Sequence, residues 1–322
     1  MTKVSVIIAT YKPVLERLLF SIDSVVRQQG IDFELIITDD GSINNCFEEA
    51  RAYIEKKGFQ NYTLLSHEKN AGTVKNILDA VYHAKGQYVR TIGTGDALYG
   101  TSSLRDHVDF LEKSKRKWSF GQMIYFTIDD SGKREYIRHQ SRPQLTKSYL
   151  EGNDKKCMRQ YGTFRDVATG TAILYEKNTI REYLELIQDK VIYCEDYIGE
   201  IMTYDGLVAA YYPEPVVLYE FAAGGVTDQT NRGWQDWREK IMNDIAAADL
   251  IMISRDNTPD DSLHRKINRI HRRRNRFGRS KLCMIFEPGR ILFHTKRILH
   301  PSMTNIPIDE MYLKTKCDTE AR

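Results

Sequence analysis

The stretch VSVIIATYKP, residues 4–13, decides how the rest of the chain is read. Residues 4–9 form an unbroken, largely β-branched apolar run, as expected of a strand buried on both faces. Pro13 then breaks the run, and helical spacing of apolar residues follows from Val14 to Val26. The pattern repeats. FELIIT (33–38) predicts a second strand, followed by a helix over Phe47–Lys57 that ends at Gly58. YTLLS (62–66) predicts a third strand, followed by a helix over Thr73–Ala84 stopped by Gly86, and QYVRTI (87–92) a fourth strand. Strands alternating with helices at this spacing require right-handed βαβ crossovers. The expectation is an α/β fold with a mostly parallel central sheet flanked by helices on both faces.

Beyond residue 100 the pattern is less regular. A helix is expected over Ser102–Lys113, strands at WSFGQMIYF (118–126), GTAILY (170–175) and PVVLYEF (215–221), and helical patches around 178–188 and 196–204. From Trp234, apolar residues recur at 237, 241, 245, 248 and 252, one helical stripe suited to core contact. SRDNTPDDS (254–262) reads as a linker. The expected organisation is residues 1–100 and 101–253 as two halves of one catalytic domain, a linker over 254–262, and a basic extension over 263–322.

Composition narrows the possibilities. With 322 residues, 41% of them hydrophobic, the chain can bury a sizeable core. It contains no apolar run of membrane-spanning length, and its N-terminal run lacks a cleavage site, so it reads as a strand in a cytoplasmic protein. Five scattered cysteines, without a CxxC pair, suit reduced thiols. The net charge of +3 hides an asymmetry: residues 264–300 hold 12 of the 47 Lys and Arg but one acid, Glu287, leaving 35 bases against 43 acids elsewhere. A basic tail on an acidic body predicts an anionic partner.

In an open parallel sheet, ligands bind beyond the carboxyl ends of the strands. Those ends carry Thr10-Tyr11 after the first strand, Asp39-Asp40-Gly41-Ser42 after the second and Gly93-Thr94-Gly95-Asp96 after the fourth, with Asn70, Gly72, Lys75 and Asn76 in the loop after the third. Each set alone has an ordinary explanation. Asp-Asp-Gly-Ser is a common turn, Lys75 a solvated helix residue and Asp96 a cap. Together they form the inventory of a nucleotide site: carboxylates for base or ribose, a cation for phosphate, an Asp for a bridging metal.

VSVIIATYKP, ELIITDDGS, NAGTVKNILDAVYHAKGQYV, GTGD and CEDYIGEIM, in that order, resemble the successive motifs of the family 2 glycosyltransferases over roughly residues 3–225. The resemblance implies a GT-A, Rossmann-like fold and inverting transfer of a sugar from a nucleotide diphosphate-sugar to an acceptor hydroxyl. By the same resemblance Thr10, Tyr11, Asp39, Asp40, Asn70, Lys75, Gly93, Thr94, Gly95 and Asp96 line the donor. Asp96 is the expected ligand of a divalent cation, Mn2+ or Mg2+, Asp196 the general base and Glu195 its orienting neighbour. Related sequences read Asp-Ser-Asp-Asp where this one reads Gly93-Thr94-Gly95-Asp96, so the usual metal ligand aligns with Gly95 and one carboxylate remains.

A nucleotide-sugar-binding protein that lost catalysis with that acidic motif is therefore the alternative. The ATGTAIL segment (168–174) is placed at the start of the acceptor side, and FAAGGVTDQTNRGW (221–234) as a loop that closes over the donor. The expected acceptor is a saccharide or lipid-linked saccharide in bacterial surface polysaccharide synthesis. HRKINRIHRRRNRFGR (264–279) places Ile267, Ile270 and Phe277 on one helical face among cations. It suits an anionic membrane surface reached through 264–300, peripherally on the inner face of the cytoplasmic membrane, or a helix packed on the catalytic domain. No specific nucleic acid partner is expected. A dinucleotide oxidoreductase would need GxGxxG at the first turn, which is absent, and a sugar nucleotidyltransferase a Gly- and Arg-rich phosphate loop that TYKPVLER does not supply.

Overall fold

The computed structural model describes residues 2–128, 134–221, 234–255 and 261–277, with residues 291, 293 and 295. In the first half, β1 (Val4–Thr10), α1 (Leu15–Val26), β2 (Phe33–Asp39), α2 (Phe47–Lys56), β3 (Tyr62–Ser66), α3 (Thr73–His83) and β4 (Tyr88–Gly93) alternate as the periodicity requires. Val14, rather than Pro13, is the residue that precedes the first helical turn. β1 pairs in parallel with β2 on one side and β4 on the other, and β2 with β3. The chain thus builds outward from β1 to β3 and then returns to the other side of β1. In open α/β sheets such a reversal is where a ligand crevice forms, here beyond the ends of β1 and β4.

Side-chain alternation along β1 divides the core. Val4, Val6 and Ile8 pack with Leu18, Ile22 and Val25 of α1 and with Leu104, Val108 and Leu111 of α4 (Ser103–Ser114). Ile7 points the other way, among Val74, Ile77, Leu78 and Val81 of α3. A strand that feeds two cores must be apolar at every position, which is why 4–9 shows no polar alternation.

The second half completes one nine-stranded sheet in the order β3-β2-β1-β4-β8-β6-β9-β5, with β7 paired to β6. Here β5 is Ala97–Leu98, β6 Trp118–Ile128, β7 Arg134–Ser141, β8 Ile173–Glu176 and β9 Ala210–Glu220. β8 enters antiparallel between β4 and β6, whereas β6 and β9 run parallel. The GTAILY segment starts as a 3-10 turn over Gly170–Ala172 and becomes a strand at Ile173. Two short helices, α5 (Lys147–Leu150) and α6 (Asp154–Arg159), lead towards it, α7 (Lys177–Ile187) follows it, and α8 is Ile198–Tyr204. The apolar stripe from Trp234 is α9 (Trp234–Ile253), with Ile245, Ala248 and Met252 buried.

α10 (Ser262–Phe277) packs against the catalytic domain, one of the two placements the basic tail allowed. Its inward face is His264, Ile267, His271 and Arg274, all buried, and Ile267 packs against Gly162. Ile267 therefore belongs to the core and not to a face turned outward. Arg274, one of the tail's cations, donates to the Thr163 carbonyl at 2.7 Å. The exposed face carries Arg265, Lys266, Arg269, Arg272, Arg273 and Arg276. Residues 256–260 of the expected linker, 222–233 of the glycine-rich loop, and most of the chain after Phe277 lie outside the described residues.

Candidate active site at the carboxyl edge of the sheet

The ends of β1 and β2 are tied to each other: Asp40 N–H donates to the Thr10 carbonyl at 3.0 Å, and Lys12 N–H to Ser42 Oγ at 2.6 Å. Thr10 is buried and its hydroxyl has no protein partner, while Tyr11 is exposed with Lys12 Nζ 5.1 Å from its ring centre. Asp39 is fully buried and accepts from Ser42 N–H and Ser42 Oγ, both at 2.7 Å. Asp40 accepts from Ala71 N–H at 2.7 Å and Gly72 N–H at 2.9 Å. Its two oxygens thus clamp the loop after β3 to the end of β2. Asn70 and Lys75 are exposed on that loop and the first turn of α3.

The turn after β4 closes with Asp96 N–H donating to the Gly93 carbonyl at 3.1 Å, and Gly95 N–H donating to Ser21 Oγ of α1 at 3.0 Å. Thr94 lies against the last residues of β1, its hydroxyl 3.5 Å from the Ala9 carbonyl. Asp96 is buried, accepts from Glu220 N–H at 3.2 Å, and is pushed up to about 7 by burial. The Thr171 hydroxyl lies against it and opposes that rise without a close hydrogen bond of its own.

The turn over 170–172 that carries Thr171 also meets the second acidic pair. The Gly170 backbone lies against Asp196 and opposes the rise of its carboxyl, and a Cβ at Gly170 would stand 3.5 Å from Asp196 Cβ and 2.9 Å from Glu195 Oε1. One short turn therefore touches Asp96 through residue 171 and Asp196 through residue 170. This juxtaposes two centres a hundred residues apart in sequence. Glu195 and Asp196 are enclosed by protein but keep partial exposure. Burial raises both above the ordinary carboxylate range, and the Asp196 charge raises Glu195 further.

Asp244 fixes the segment that delivers this pair. Its carboxylate, on α9, accepts from Ile192 N–H at 3.1 Å, Tyr193 N–H at 2.6 Å and Cys194 N–H at 3.1 Å. The Ile192 carbonyl in turn accepts from Val74 N–H at 3.0 Å, so the start of α3 and the acidic pair share one support. Sequence reading missed Asp244, although an Asp one residue before Ile245 on an apolar stripe was a signal. It also missed Arg17 and Glu220, which carry no local pattern, and set Thr171 with the ATGTAIL segment on the acceptor side.

Two groups of side chains invite a cation. Asp96, a buried carboxylate beside an unpartnered hydroxyl, fits a hard divalent ion whose remaining ligands come from phosphate and water. Glu200, Asp249 and His271 also stand close enough together to share one. There, however, Arg165 hydrogen-bonds Asp249 and lies 3.6 Å from Glu200, and His271 Nε2 is 2.6 Å from the Gly162 carbonyl. One guanidinium spans both carboxylates, a ring nitrogen of His271 is spent on a carbonyl, and all three side chains are closed off from solvent and substrate. The trio fits a metal poorly and is read as a buried ion-pair network fastening α10 to α8 and α9.

The family profile described as Glycosyl transferase family 2 matches residues 5–184. The chain belongs to that family. Two proteins called "uncharacterized glycosyltransferase", from Rickettsia bellii and Rickettsia felis, are 29% and 28% identical to this chain over 188 and 189 residues. Each match covers 58% of this chain but 25% and 29% of the relative, so the chain matches little more than a quarter of their length. Among solved structures, S. aureus TarS 1–349 in complex with UDP-GlcNAc has a TM-score of 0.56 at 16% identity, covering 87% of this chain and 74% of that one. The mannosyltransferase PcManGT of Pyrobaculum calidifontis in complex with GDP-Man and Mn2+ has a TM-score of 0.56 at 14% identity, covering 99% and 79%. These likenesses establish a GT-A fold for this chain.

Proposed function

We propose that this family 2 glycosyltransferase binds a nucleotide diphosphate-sugar in the crevice beyond β1 and β4 and transfers its sugar, with inversion, to an acceptor hydroxyl. The observation that carries this reading is the 170–172 turn, which meets Asp96 on one side and Asp196 on the other. The neighbours' complexes with UDP-GlcNAc and with GDP-Man and Mn2+ support a donor of this class.

In this scheme Thr10, Tyr11 and Asp39 face base and ribose, the free Thr10 hydroxyl offering a donor or acceptor. Asp40 holds the loop that brings Asn70 and Lys75 to the same edge. Gly93, Thr94 and Gly95 let the diphosphate approach the backbone, and Asp96 holds Mn2+ or Mg2+. When bound, the cation offsets charge on the leaving diphosphate. Asp196 removes the acceptor's proton as its oxygen attacks the anomeric carbon, and Glu195 orients that carboxylate. Burial raises Asp196, which brings its proton affinity nearer to the task of a base at neutral pH.

The acceptor in this reading is a saccharide or lipid-linked saccharide of a surface polysaccharide, with the cationic outer face of α10 turned to an anionic membrane at the cytoplasmic side. Among the described residues, no helix is long and apolar enough to cross a membrane. A thermal-shift panel of UDP, GDP, dTDP and CMP, each with and without Mn2+, tests the donor site. Stabilisation by one diphosphate supports it and a flat panel removes it. Gly93 and Gly95 keep the non-catalytic binding protein as a rival. Release of labelled sugar from the stabilising donor decides against that rival.

A further inference from the structure

A side chain at position 95 would be strained and would have to displace Glu220. Gly95 adopts φ +99°, and a Cβ built there would collide with Glu220 Oε2. Glu220 ends β9, its side chain is 6% exposed, and its N–H donates to Asp96 Oδ1 at 3.2 Å. Antiparallel pairing of Ala97 with Leu218 explains the meeting: the β5–β9 ladder sets the residues just before β5 beside the last residues of β9. A carboxylate that the turn's own sequence lacks therefore stands in the same volume, supplied from a strand 124 residues beyond Asp96. Arg17 Nη2 holds Oε1 at 2.7 Å, while Oε2 lies towards Gly95. Independently, Thr171 is 8% exposed, and its buried hydroxyl lacks a close partner and lies against Asp96.

We propose that Glu220 acts with Asp96 as the second carboxylate of the donor site's divalent-cation centre, in place of the side chain that position 95 lacks; this rests on the donor-site reading above. Two carboxylates, the Thr171 hydroxyl and phosphate oxygens form a hard oxygen set that one carboxylate does not. Arg17 balances Glu220 before the cation arrives and competes with the cation when it does. Its guanidinium is a fixed positive charge next to the incoming ion.

The test is Mn2+ titration of the full chain by electron paramagnetic resonance with saturating UDP, GDP or dTDP, beside nucleotide binding in chelator. Glu220→Gln weakens Mn2+ binding on the order of tenfold or more, because ligand charge sets the affinity of such sites. In chelator the same change does not weaken nucleotide binding, because it removes a negative charge from beside the diphosphate. Arg17→Met touches neither carboxylate and tightens Mn2+ binding several-fold, and it decides the matter if the Glu220 variant does not fold. Wild-type Mn2+ affinity in Glu220→Gln overturns the proposal, as does unchanged or weaker binding in Arg17→Met. A wild-type chain that binds nucleotide equally with and without Mn2+ overturns the cation centre and keeps the donor site. Failure of all three nucleotides to bind overturns the donor-site reading itself.

Discussion

Asp96 should cost this protein stability at neutral pH, and Asp96→Asn should return it. Burial moves the carboxyl from an ordinary 3.8 to about 7, roughly three units. At about 1.4 kcal/mol per unit the shift corresponds to an upper value of about 4 kcal/mol. The sign follows from proton counting. Between about pH 4 and pH 7 the native chain keeps a proton that the unfolded chain has released, so stability falls as pH rises through that window. Asn keeps an acceptor for Glu220 N–H and cannot ionise. The difference between variant and wild type should thus be smallest below about pH 4, where both states hold the proton, grow through pH 7, and level off with the variant more stable by 1–4 kcal/mol, about the span this shift allows. Urea unfolding at a series of pH values in chelator measures it, because a bound cation would stabilise the wild type alone. Taking the difference cancels every other titrating group. A constant difference from pH 4.5 to 8, or a variant less stable at pH 8, would refute the claim that burial dominates at Asp96.

Asp196→Asn should preserve nucleotide affinity and lower turnover by about 10²–10⁴-fold, the usual contribution of a positioned base, and turnover at the wild-type rate would remove the assignment. The acid limb of the kcat/KM profile should lie above the ordinary carboxylate range, because burial raises Asp196, and a limb at or below pH 4 would remove the assignment. Asp244→Ala strands three backbone N–H groups and should cost about 2–5 kcal/mol in urea unfolding, with turnover falling as the 192–196 segment loosens. Liposomes of anionic lipid should sediment the full chain but not a variant with Arg265, Lys266, Arg269, Arg272, Arg273 and Arg276 changed to Gln. Equal pelleting of the two would remove the proposed membrane face.

Strand and helix positions in the first hundred residues were legible because each is written locally, as an unbroken apolar run or a 3.6-residue stripe. The carboxyl-edge rule then named Thr10, Asp39, Lys75 and Asp96 without any contact being known. What local pattern could not carry was partnership. Asp40 and Asp39 look alike in DDGS, yet one clamps the loop at 71–72 and the other its own turn at Ser42. The tail's spacing marked Ile267 as apolar, but whether that face turned outward or inward depended on Gly162 being there to receive it.

By itself the sequence determined an α/β alternation, a parallel run of four strands and the residues at their ends, because strand period and chain direction are properties of neighbours along the chain. Only the tertiary structure decided that β8 slips in antiparallel beside β4, that residues 170 and 171 stand between two acidic centres, and that Glu220 fills the space beside Gly95. Those meetings join segments separated by many tens of residues. Their energy comes from burial and hydrogen bonds that exist only once the sheet has closed.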